Sequence, residues 1–294
     1  MSDRIARLAV IGVGLIGGSL ARALRLAGKV GHVVGCGRGE ANLKRGVELG
    51  VLDSYTHDVA EAVADADMVF VAVPLGAMRE VFAQMNGKLR ADAVVTDGGS
   101  AKGSVIADFN AVCGQHAAQF VPGHPIAGTE RNGVEASFAE LYLERRVIIT
   151  PTGHTAPDAT QRVRAMWQAC GAEVIEMGVR HHDEVLAATS HLPHMLAFGL
   201  VDALARMEDH DDIFRYAAGG FRDFTRIASS NPVMWRDICI ANRDALSRML
   251  TSFAEEMQAL AVSIETGDAE RLLEIFQRAK DARDSYVDGL GSDA

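Results

Sequence analysis

The sequence has few of the residues that mark disulfide-rich or membrane-spanning proteins. Its 294 residues include only four cysteines and seven prolines, and aromatic residues make up 6%. The four cysteines (Cys36, Cys113, Cys170, Cys239) are far apart and form no C-x-x-C pair. This spacing argues against a disulfide framework and a zinc site and favours reduced thiols, as in the cytoplasm. The apolar run at the N terminus is short and interrupted by glycine, so we expect it to open a fold and not to act as a signal peptide or a membrane span.

Positive charge is also scarce. Lysine and arginine total 29 against 39 acidic residues, which gives a formal net charge of -10 at pH 7. This charge argues against nucleic acid or an anionic membrane as a partner, whereas local arginines could still bind a small anionic substrate. Hydrophobic residues make up 48% of the chain and charged residues 23%, as in globular proteins. The length suits one large domain or two ordinary ones.

Short apolar runs alternate with amphipathic stretches over the first 178 residues. Unbroken apolar runs are typical of strands that are buried on both faces of a parallel sheet. Their alternation with helical patterns predicts an α/β fold, with a Rossmann-type doubly wound and mostly parallel sheet. The predicted strands are "RLAVIG" (7–12), "HVVGCG" (32–37), "MVFVAV" (68–73), "AVVTDG" (93–98), "RVIIT" (146–150) and "AEVIEM" (172–177).

The rest of the chain, residues 179–294, has helical periodicity throughout. Asn231 and Pro232 form a plausible helix start, and Gly267 a plausible stop before Asp268. We therefore predict a dinucleotide-binding domain over residues 1–178 and an all-helical domain over 179–294. Long helices with an apolar stripe usually pack against something, so a homodimer formed through the helical domain is expected.

The segment Gly12-Val13-Gly14-Leu15-Ile16-Gly17 is a G-x-G-x-x-G sequence between a predicted strand and a predicted helix. Such a motif can be a simple glycine-rich turn, but its place in the first βα unit favours dinucleotide binding. Glycines permit the tight turn and let backbone N–H groups approach a pyrophosphate at the positive end of the helix. The predicted cofactor contacts are Gly12, Gly14, Leu15, Ile16, Gly17, Arg38, Val73 and Pro74.

The end of the second strand lacks an acidic residue. NAD-binding proteins usually have one there, and it bonds the ribose 2′-hydroxyl. This sequence has Gly37 at that place, followed by Arg38. A guanidinium can pair with a 2′-phosphate, which favours NADP over NAD. The alternative is that Arg38 is a solvated surface residue and that NAD is used.

Three turns leave strand ends, where ligands of open α/β sheets bind, so we expect their residues to converge near the cofactor. The first, "VAVP", ends at Pro74. "VVTDGGSAKG" supplies Asp97, Ser100 and Lys102, and the turn "FVPGHPIAGTE" supplies His124 and Glu130. Ser100 could cap the helix that begins near Lys102. Ser100 and His124 could instead grip a hydroxyl group under oxidation, since a neutral imidazole can take its proton as hydride leaves.

The helical half has its own candidates, each with a plain structural alternative. His191 and His194 flank Pro193, which should kink or start a helix. They could bind a metal, but no third ligand is evident, and we expect none. Asp223 and Arg226 could form a surface ion pair, and Trp235 could be core packing.

Five segments together resemble the prephenate/arogenate (cyclohexadienyl) dehydrogenases of tyrosine biosynthesis, over essentially the whole chain. They are "GVGLIGGS", "TDGGSAKG", "GHPIAGTERNGVE", "ATSHLPHMLAFGLV" and "GGFRDFTRIASSNPVMWRDI". The resemblance implies an N-terminal nucleotide-binding domain and a helical domain that forms the dimer. The sequence departs from many members of the family at Gly37-Arg38, which puts NAD preference in doubt.

The resemblance also implies roles for individual residues. His124 would bond the ring hydroxyl of the substrate and assist its deprotonation, while Ser100 would hold that hydroxyl beside the nicotinamide. Arg226 would bind a substrate carboxylate. Asp223 and Glu130 would belong to the ionic network around the pocket, and His194 and Trp235 would line it near the substrate side chain, Trp235 across the dimer.

The implied reaction is the NAD(P)-dependent oxidative decarboxylation of prephenate, arogenate or both. Two alternatives remain at the level of the sequence. One is another hydroxyacid dehydrogenase with a Rossmann and a helical domain, although its expected catalytic lysine is missing between residues 181 and 207. The other is a non-catalytic NADP-binding sensor, which would not need Ser100, His124 and Arg226 together.

Overall fold

The computed structural model describes residues 4–129 and 131–291. Their contacts group into two compact units, Met1–Ala245 and Leu246–Ala294. The first unit therefore holds both sheets and the helices up to Ala241, and the second holds most of the last two helices. The predicted functional boundary at residues 178 and 179 lies inside the first compact unit and stays a prediction.

The first unit is built on a six-stranded parallel sheet of order β3-β2-β1-β4-β5-β6. The predicted Rossmann-type fold is thus confirmed, and the observed strand ends differ from the predicted ones by one or two residues. Strand order reverses next to β1, so the carboxyl ends of β1 and β4 open a crevice suited to a ligand. The strands are β1 (Ile5–Ile11), β2 (Val30–Cys36), β3 (Ser54–Thr56), β4 (Met68–Val71), β5 (Val94–Asp97) and β6 (Phe120–Val121).

Helices cover both faces of this sheet. In β1, Leu8 and Val10 join one buried hydrophobic cluster, whereas Ala9 and Ile11 join another. Successive side chains of a strand point to opposite faces, so an unbroken apolar run fills both clusters. The helices of this half are α1 (Leu15–Leu26), α2 (Glu40–Glu48), α3 (Val59–Val63), α4 (Leu75–Met85), α5 (Gly103–Cys113) and α6 (Pro157–Ala169).

A second, three-stranded sheet corrects the prediction. The runs expected at 146–150 and 172–177 are strands, β8 (Arg146–Ile149) and β9 (Glu173–Glu176), but they do not join the main sheet. They pair with each other in parallel, and β8 also pairs antiparallel with the short strand β7 (Gly123–Pro125). His124 therefore lies within a strand and not in a turn after one, because its backbone pairs opposite Ile148.

The remaining chain is helical, as predicted. Pro193 lies in the first turn of a helix that follows a π-helical segment, Ala187–His191. Asn231 caps its helix by accepting a hydrogen bond from the Met234 N–H at 3.0 Å, and Gly267, with φ +69°, ends another. None of the described helices is long and apolar enough to cross a membrane. The helices are α7 (Val179–Leu186), α8 (Leu192–Ala205), α9 (His210–Arg215), α10 (Gly219–Thr225), α11 (Pro232–Ala241), α12 (Arg243–Thr266) and α13 (Ala269–Gly291).

A buried ion pair joins the two sheets. Lys102 and Asp97 are fully buried, and the Lys102 ammonium contacts the Asp97 carboxylate. Both side chains also hold the backbone of Gly123: Lys102 Nζ donates to its carbonyl at 2.6 Å, and its N–H donates to Asp97 Oδ1 at 3.1 Å. The pair thus fixes the start of β7 against the end of β5.

Loss of the Lys102 ammonium should destabilise the protein strongly. In Lys102→Met the Asp97 carboxylate stays buried without its cation, which typically costs about 3–5 kcal/mol. Urea unfolding should show this drop in the free energy of unfolding. Lys44→Met is the matched control, because Lys44 pairs with Glu40 on the exposed face of α2 and its loss should change little. A change of less than about 1 kcal/mol in Lys102→Met would contradict the role of the pair.

Candidate active site

The glycines of the loop between β1 and α1 are there for different steric reasons. Gly12 has φ +101°, and a Cβ there would lie 2.4 Å from the Ala72 carbonyl oxygen at the end of β4. A Cβ on Gly17 would lie 2.3 Å from the Gly12 carbonyl oxygen, so α1 could not pack so closely on the loop. A Cβ on Gly14 would meet nothing within 4 Å, so this position faces open space.

This loop fits a dinucleotide. Gly14 is the N-cap of α1, and no side chain caps the first turn, which starts at Leu15 and Ile16. The amide groups at the start of α1 therefore suit a pyrophosphate, whose charge the helix dipole would favour. Val73 and Pro74 follow β4 directly, and a Cβ on Gly12 would be only 3.1 Å from the Val73 nitrogen.

Arg38 lies in the turn between β2 and α2, and it is exposed. The turn follows the carboxyl end of β2, beside the dinucleotide loop, because Gly12 N–H donates to the Cys36 carbonyl at 2.8 Å. The His57 ring donates from Nδ1 to the Gly37 carbonyl at 2.7 Å, which helps to fix this turn. Arg38 therefore belongs to the turn at the edge where an adenosine ribose would lie in this fold.

The loop after β5 lies beside the dinucleotide loop, since a Cβ on Gly98 would be 3.4 Å from Ile16 Cγ2. Half-buried Ser100 belongs to this loop. The capping alternative for Ser100 is wrong: Lys102 is the N-cap residue of α5 and no side chain of the N-cap bonds the helix. The expectation that Asp97 and Lys102 face the cofactor is also wrong, because the two are buried against each other.

His124 is buried and is joined to two residues of α7. Its Nδ1 lies 2.9 Å from His182 Nε2, and His182 Nδ1 lies 2.8 Å from Asp183 Oδ1. The Asp183 carboxylate in turn accepts the Lys102 and Gly103 N–H groups, each at 2.8 Å. His124, His182 and Asp183 thus form a hydrogen-bonded chain that ends at the start of α5.

Electrostatics keeps this histidine pair neutral. Burial, together with His182, Lys102 and His191, holds the pKa of His124 well below its ordinary 6.5. Burial also lowers the pKa of His182, although its bond to Asp183 opposes the shift. For Asp183, burial alone would raise the pKa, but the hydrogen bonds from His182, Lys102 and Gly103 outweigh it and lower the pKa. Near pH 7 the hydrogen-bonded chain from His124 to Asp183 therefore consists of two neutral imidazoles and one ionised carboxylate.

A second group of aromatic and cationic side chains comes from the helical part of the first unit. The half-buried His194 ring stacks on the buried Trp235 ring, with centroids 3.7 Å apart and planes at 23°. His191 lies edge-on to the same Trp235 ring at 6.1 Å. Burial lowers the pKa of His194 and Arg226 lowers it further, although the bond to the Ser190 carbonyl opposes the shift.

The two groups form one continuous cluster. Asn242 Nδ2 donates to the Asp183 carbonyl at 2.8 Å and to His191 Nδ1 at 3.1 Å. Asn242 therefore links His191 to the hydrogen-bonded chain from His124 to Asp183. Burial lowers the pKa of His191 to about 4. The Nε2 atom of His191 and the Nε1 atom of Trp235 are buried and have no hydrogen-bond partner in the described chain. Buried N–H donors of this kind suit an acceptor on a bound molecule or an ordered water.

The remaining candidates are exposed or lie outside the described residues. Asp223 is exposed on α10, and exposed Arg226 begins the 3₁₀ turn that follows it. Glu130 lies outside the described residues. Among residues 4–129 and 131–291, no three His, Cys, Asp or Glu side chains are grouped so that they could hold a metal ion.

Three residues of the cluster are not identified from the sequence: the buried His182 and Asn242 and the half-buried Asp183. The segment "HHDE" offers a signal, since a carboxylate that bonds one ring nitrogen of a histidine sets which nitrogen carries the proton. Nothing in the sequence indicates, however, that this histidine meets His124, which lies 58 residues earlier. Only the packing of α7 against β7 and α5 brings them together.

Two family models match this chain. The family model described as "Prephenate dehydrogenase, nucleotide-binding domain" matches residues 20–176. The model described as "Prephenate dehydrogenase, dimerization domain" matches residues 179–278.

Individual relatives cover almost the whole chain. A cyclohexadienyl dehydrogenase of Zymomonas mobilis is 40% identical over 94% of this chain and 94% of its own. A Bacillus subtilis prephenate dehydrogenase is 33% identical over 93% of this chain and 74% of its own.

Solved structures are similar over the same extent. The crystal structure of prephenate dehydrogenase from Aquifex aeolicus, in complex with hydroxyphenyl propionate and NAD+, has a TM-score of 0.89 and 37% identity, over 95% of this chain and 97% of that one. A Synechocystis arogenate dehydrogenase has a TM-score of 0.81 and 27% identity, over 95% and 99%. With its Rossmann sheet, its dinucleotide loop and its buried histidine cluster, this chain belongs to the prephenate dehydrogenase family.

Proposed function

We propose that the protein catalyses the NAD(P)-dependent oxidative decarboxylation of prephenate to 4-hydroxyphenylpyruvate, of arogenate to tyrosine, or of both. The observation that carries this proposal is the buried, neutral His124, whose neighbour Gly123 is held at the carboxyl end of β5, the sheet edge that also carries the dinucleotide loop. Its close relatives are prephenate and cyclohexadienyl dehydrogenases. This reaction would make the protein an oxidoreductase of tyrosine biosynthesis.

The cofactor would be held by the backbone at Gly12, Gly14 and Gly17, with Leu15, Ile16, Val73 and Pro74 around it. A bound nicotinamide would accept the hydride that leaves the substrate. Ser100 would hold the substrate hydroxyl close to the nicotinamide. The residues present fit such a group, because Gly14 leaves open space and the start of α1 carries no side-chain cap.

His124 would act on the proton of the ring hydroxyl. As hydride leaves the carbinol carbon, this hydroxyl becomes a carbonyl and its proton moves to the imidazole. The bond from the opposite ring carbon to its carboxylate then breaks, and its electrons make the ring aromatic as carbon dioxide leaves. The phenol oxygen takes its proton back from the imidazole, so the step balances without a net proton change.

The anionic substrate needs positive anchors in a protein of net charge -10. We assign Arg226 to a substrate carboxylate, and Asp223 and Glu130 to the surrounding ionic network. His194 and Trp235 would line the pocket near the substrate side chain. Their rings stack on each other within one chain, which supports placing both on the same side of the pocket. The assignment of Trp235 to the site of a second protomer stays a proposal.

The predicted boundary between residues 178 and 179 would separate cofactor binding from substrate binding and dimer formation. The change of family model between residues 176 and 179 supports this boundary. We also propose that the enzyme is cytoplasmic, with reduced cysteines.

A homodimer is the expected state in solution. The second compact unit presents large apolar side chains to solvent on both of its helices, among them Ile264 at 62% exposure and Leu273 at 67%. Such surfaces mark protein interfaces, and the matching family domain is a dimerization domain. Sedimentation should give twice the chain mass of 31.4 kDa, and a species of one chain mass at micromolar concentration would contradict the proposal.

The function is tested by following reduced-nicotinamide absorbance with each of prephenate and arogenate in the presence of each of NAD and NADP. We expect signal, larger with NADP because of Arg38, and the better substrate defines the specificity. Signal with NAD alone would contradict the assignment of Arg38. No signal with any pair, from folded protein that binds dinucleotide, would overturn the function.

The role of Arg38 is tested by Arg38→Ala. Loss of a charge-assisted pair with the 2′-phosphate should raise KM for NADP about tenfold to a hundredfold and leave KM for NAD nearly unchanged. Arg90→Ala is the matched control, because Arg90 pairs with Asp92 at the opposite edge of the sheet. Equal effects on NAD and NADP would refute the role of Arg38.

The role of His124 is tested by His124→Asn. Loss of the proton acceptor should lower kcat by about 10²–10⁴-fold, whereas dinucleotide affinity and thermal stability stay close to wild type. Near-normal turnover in this variant would refute the role.

The pH profile of the wild-type enzyme gives an independent check. His124 must be neutral to accept a proton, so kcat/KM is retained above its pKa and lost as pH falls through it. Because that pKa lies well below 6.5, the acidic fall should also begin well below pH 6.5. A fall centred at or above pH 6.5 would show that the histidine is not held neutral as described.

A further inference from the structure

We propose that His182 and Asp183 are positioning residues that fix the tautomer of His124, so that its Nε2 atom is the proton acceptor. This inference rests on the proposed role of His124. It adds two residues of α7 to a site otherwise built from strand β7, from loops at the sheet edge and from later helices.

The hydrogen bond between His182 and Asp183 has a defined direction. Oδ1 of Asp183 accepts the Lys102 N–H, and Oδ2 accepts the Gly103 N–H, each at 2.8 Å. Both oxygens are therefore acceptors, as in an ionised carboxylate. The hydrogen between Asp183 Oδ1 and His182 Nδ1, 2.8 Å apart, must then lie on the His182 nitrogen.

The direction of this bond also sets the direction of the hydrogen bond between His182 and His124. A neutral imidazole with a hydrogen on Nδ1 has a lone pair on Nε2. His182 Nε2 therefore accepts, and the group 2.9 Å away that donates to it is the Nδ1–H of His124. With its hydrogen on Nδ1, neutral His124 has a bare Nε2, which is the atom free to take the hydroxyl proton.

The surroundings of His182 favour this neutral arrangement. The charged and titratable groups that act on His182 are Lys102, Asp183 and Asp97, and the neighbouring histidines are His124 and His191. The ammonium of Lys102 opposes a positive charge on His182, whereas the two carboxylates favour it. His182 itself is fully buried, so no water competes for its ring nitrogens.

The consequence for the reaction is specific. In the opposite tautomer, His124 would present an N–H to the substrate hydroxyl and could not take its proton. Orientation by His182 would therefore act on the chemical step and not on substrate binding. The positive charge that forms on His124 would also be stabilised by the Asp183 carboxylate at the end of the chain.

The test compares His182→Phe with His182→Gln in purified full-length enzyme, with prephenate and saturating NAD or NADP. Phenylalanine cannot accept the Nδ1–H, so kcat should fall by about a hundredfold or more, with KM for prephenate within about threefold of wild type. A glutamine oxygen can accept that hydrogen while its amide donates to Asp183. His182→Gln should therefore restore kcat to within about tenfold of wild type.

His181→Phe is the matched control, because His181 is the exposed neighbour on the same helix and should leave kcat unchanged. A His182→Phe kcat within about threefold of wild type would overturn the proposal, as would a His182→Gln variant that is folded, binds dinucleotide and is no more active than His182→Phe. If His124→Asn is inactive while His182→Phe is active, only this proposal fails. If His124→Asn itself is active, the proposed function of His124 fails first.

Discussion

The buried ion pair between Asp97 and Lys102 fixes the site. It holds both backbone groups of Gly123, the residue before His124, and so determines where β7 starts. The same loop presents the N–H groups of Lys102 and Gly103 to Asp183. One short segment between β5 and α5 therefore positions both ends of the hydrogen-bonded chain from His124 to Asp183. Because charges are costly to bury, this arrangement requires that every partner be satisfied.

This construction also explains the electrostatics of the site. Burial lowers the pKa of the Lys102 ammonium, and the Asp97 carboxylate opposes that shift. Burial lowers the pKa of both His124 and His182, and the nearby Lys102 cation lowers it further. A weak base is suitable here because aromatisation drives the reaction; the protein needs alignment and a brief proton acceptor more than a strong base.

The sequence predicts the main architecture because local patterns determine it. Apolar runs that alternate with amphipathic stretches required a doubly wound sheet, and the spacing of Gly12, Gly14 and Gly17 located the dinucleotide loop. The sequence places β8 and β9 in the main parallel sheet, which is wrong, because periodicity specifies a strand but not the strand with which it pairs. Pro122 and Gly123 suggested a turn where β7 pairs with β8.

The site was predicted in part for the same reason. His124 was found because its segment is rich in glycine and proline and resembles a known motif, whereas His182 lies in an ordinary amphipathic helix. The role of Lys102 was misjudged: a lysine at a strand end suggests a ligand contact, and only the packing shows that it is fully buried. Contacts between residues far apart in the chain decided each of these cases.

The most direct measurement is the tautomer of His124 by nitrogen NMR of the imidazole rings near pH 7, assigned by comparison with His124→Asn. A hydrogen on Nδ1 and a bare Nε2, together with a hydrogen on His182 Nδ1, is the result that this account predicts. A hydrogen on His124 Nε2, or a charged imidazolium at that pH, would contradict it.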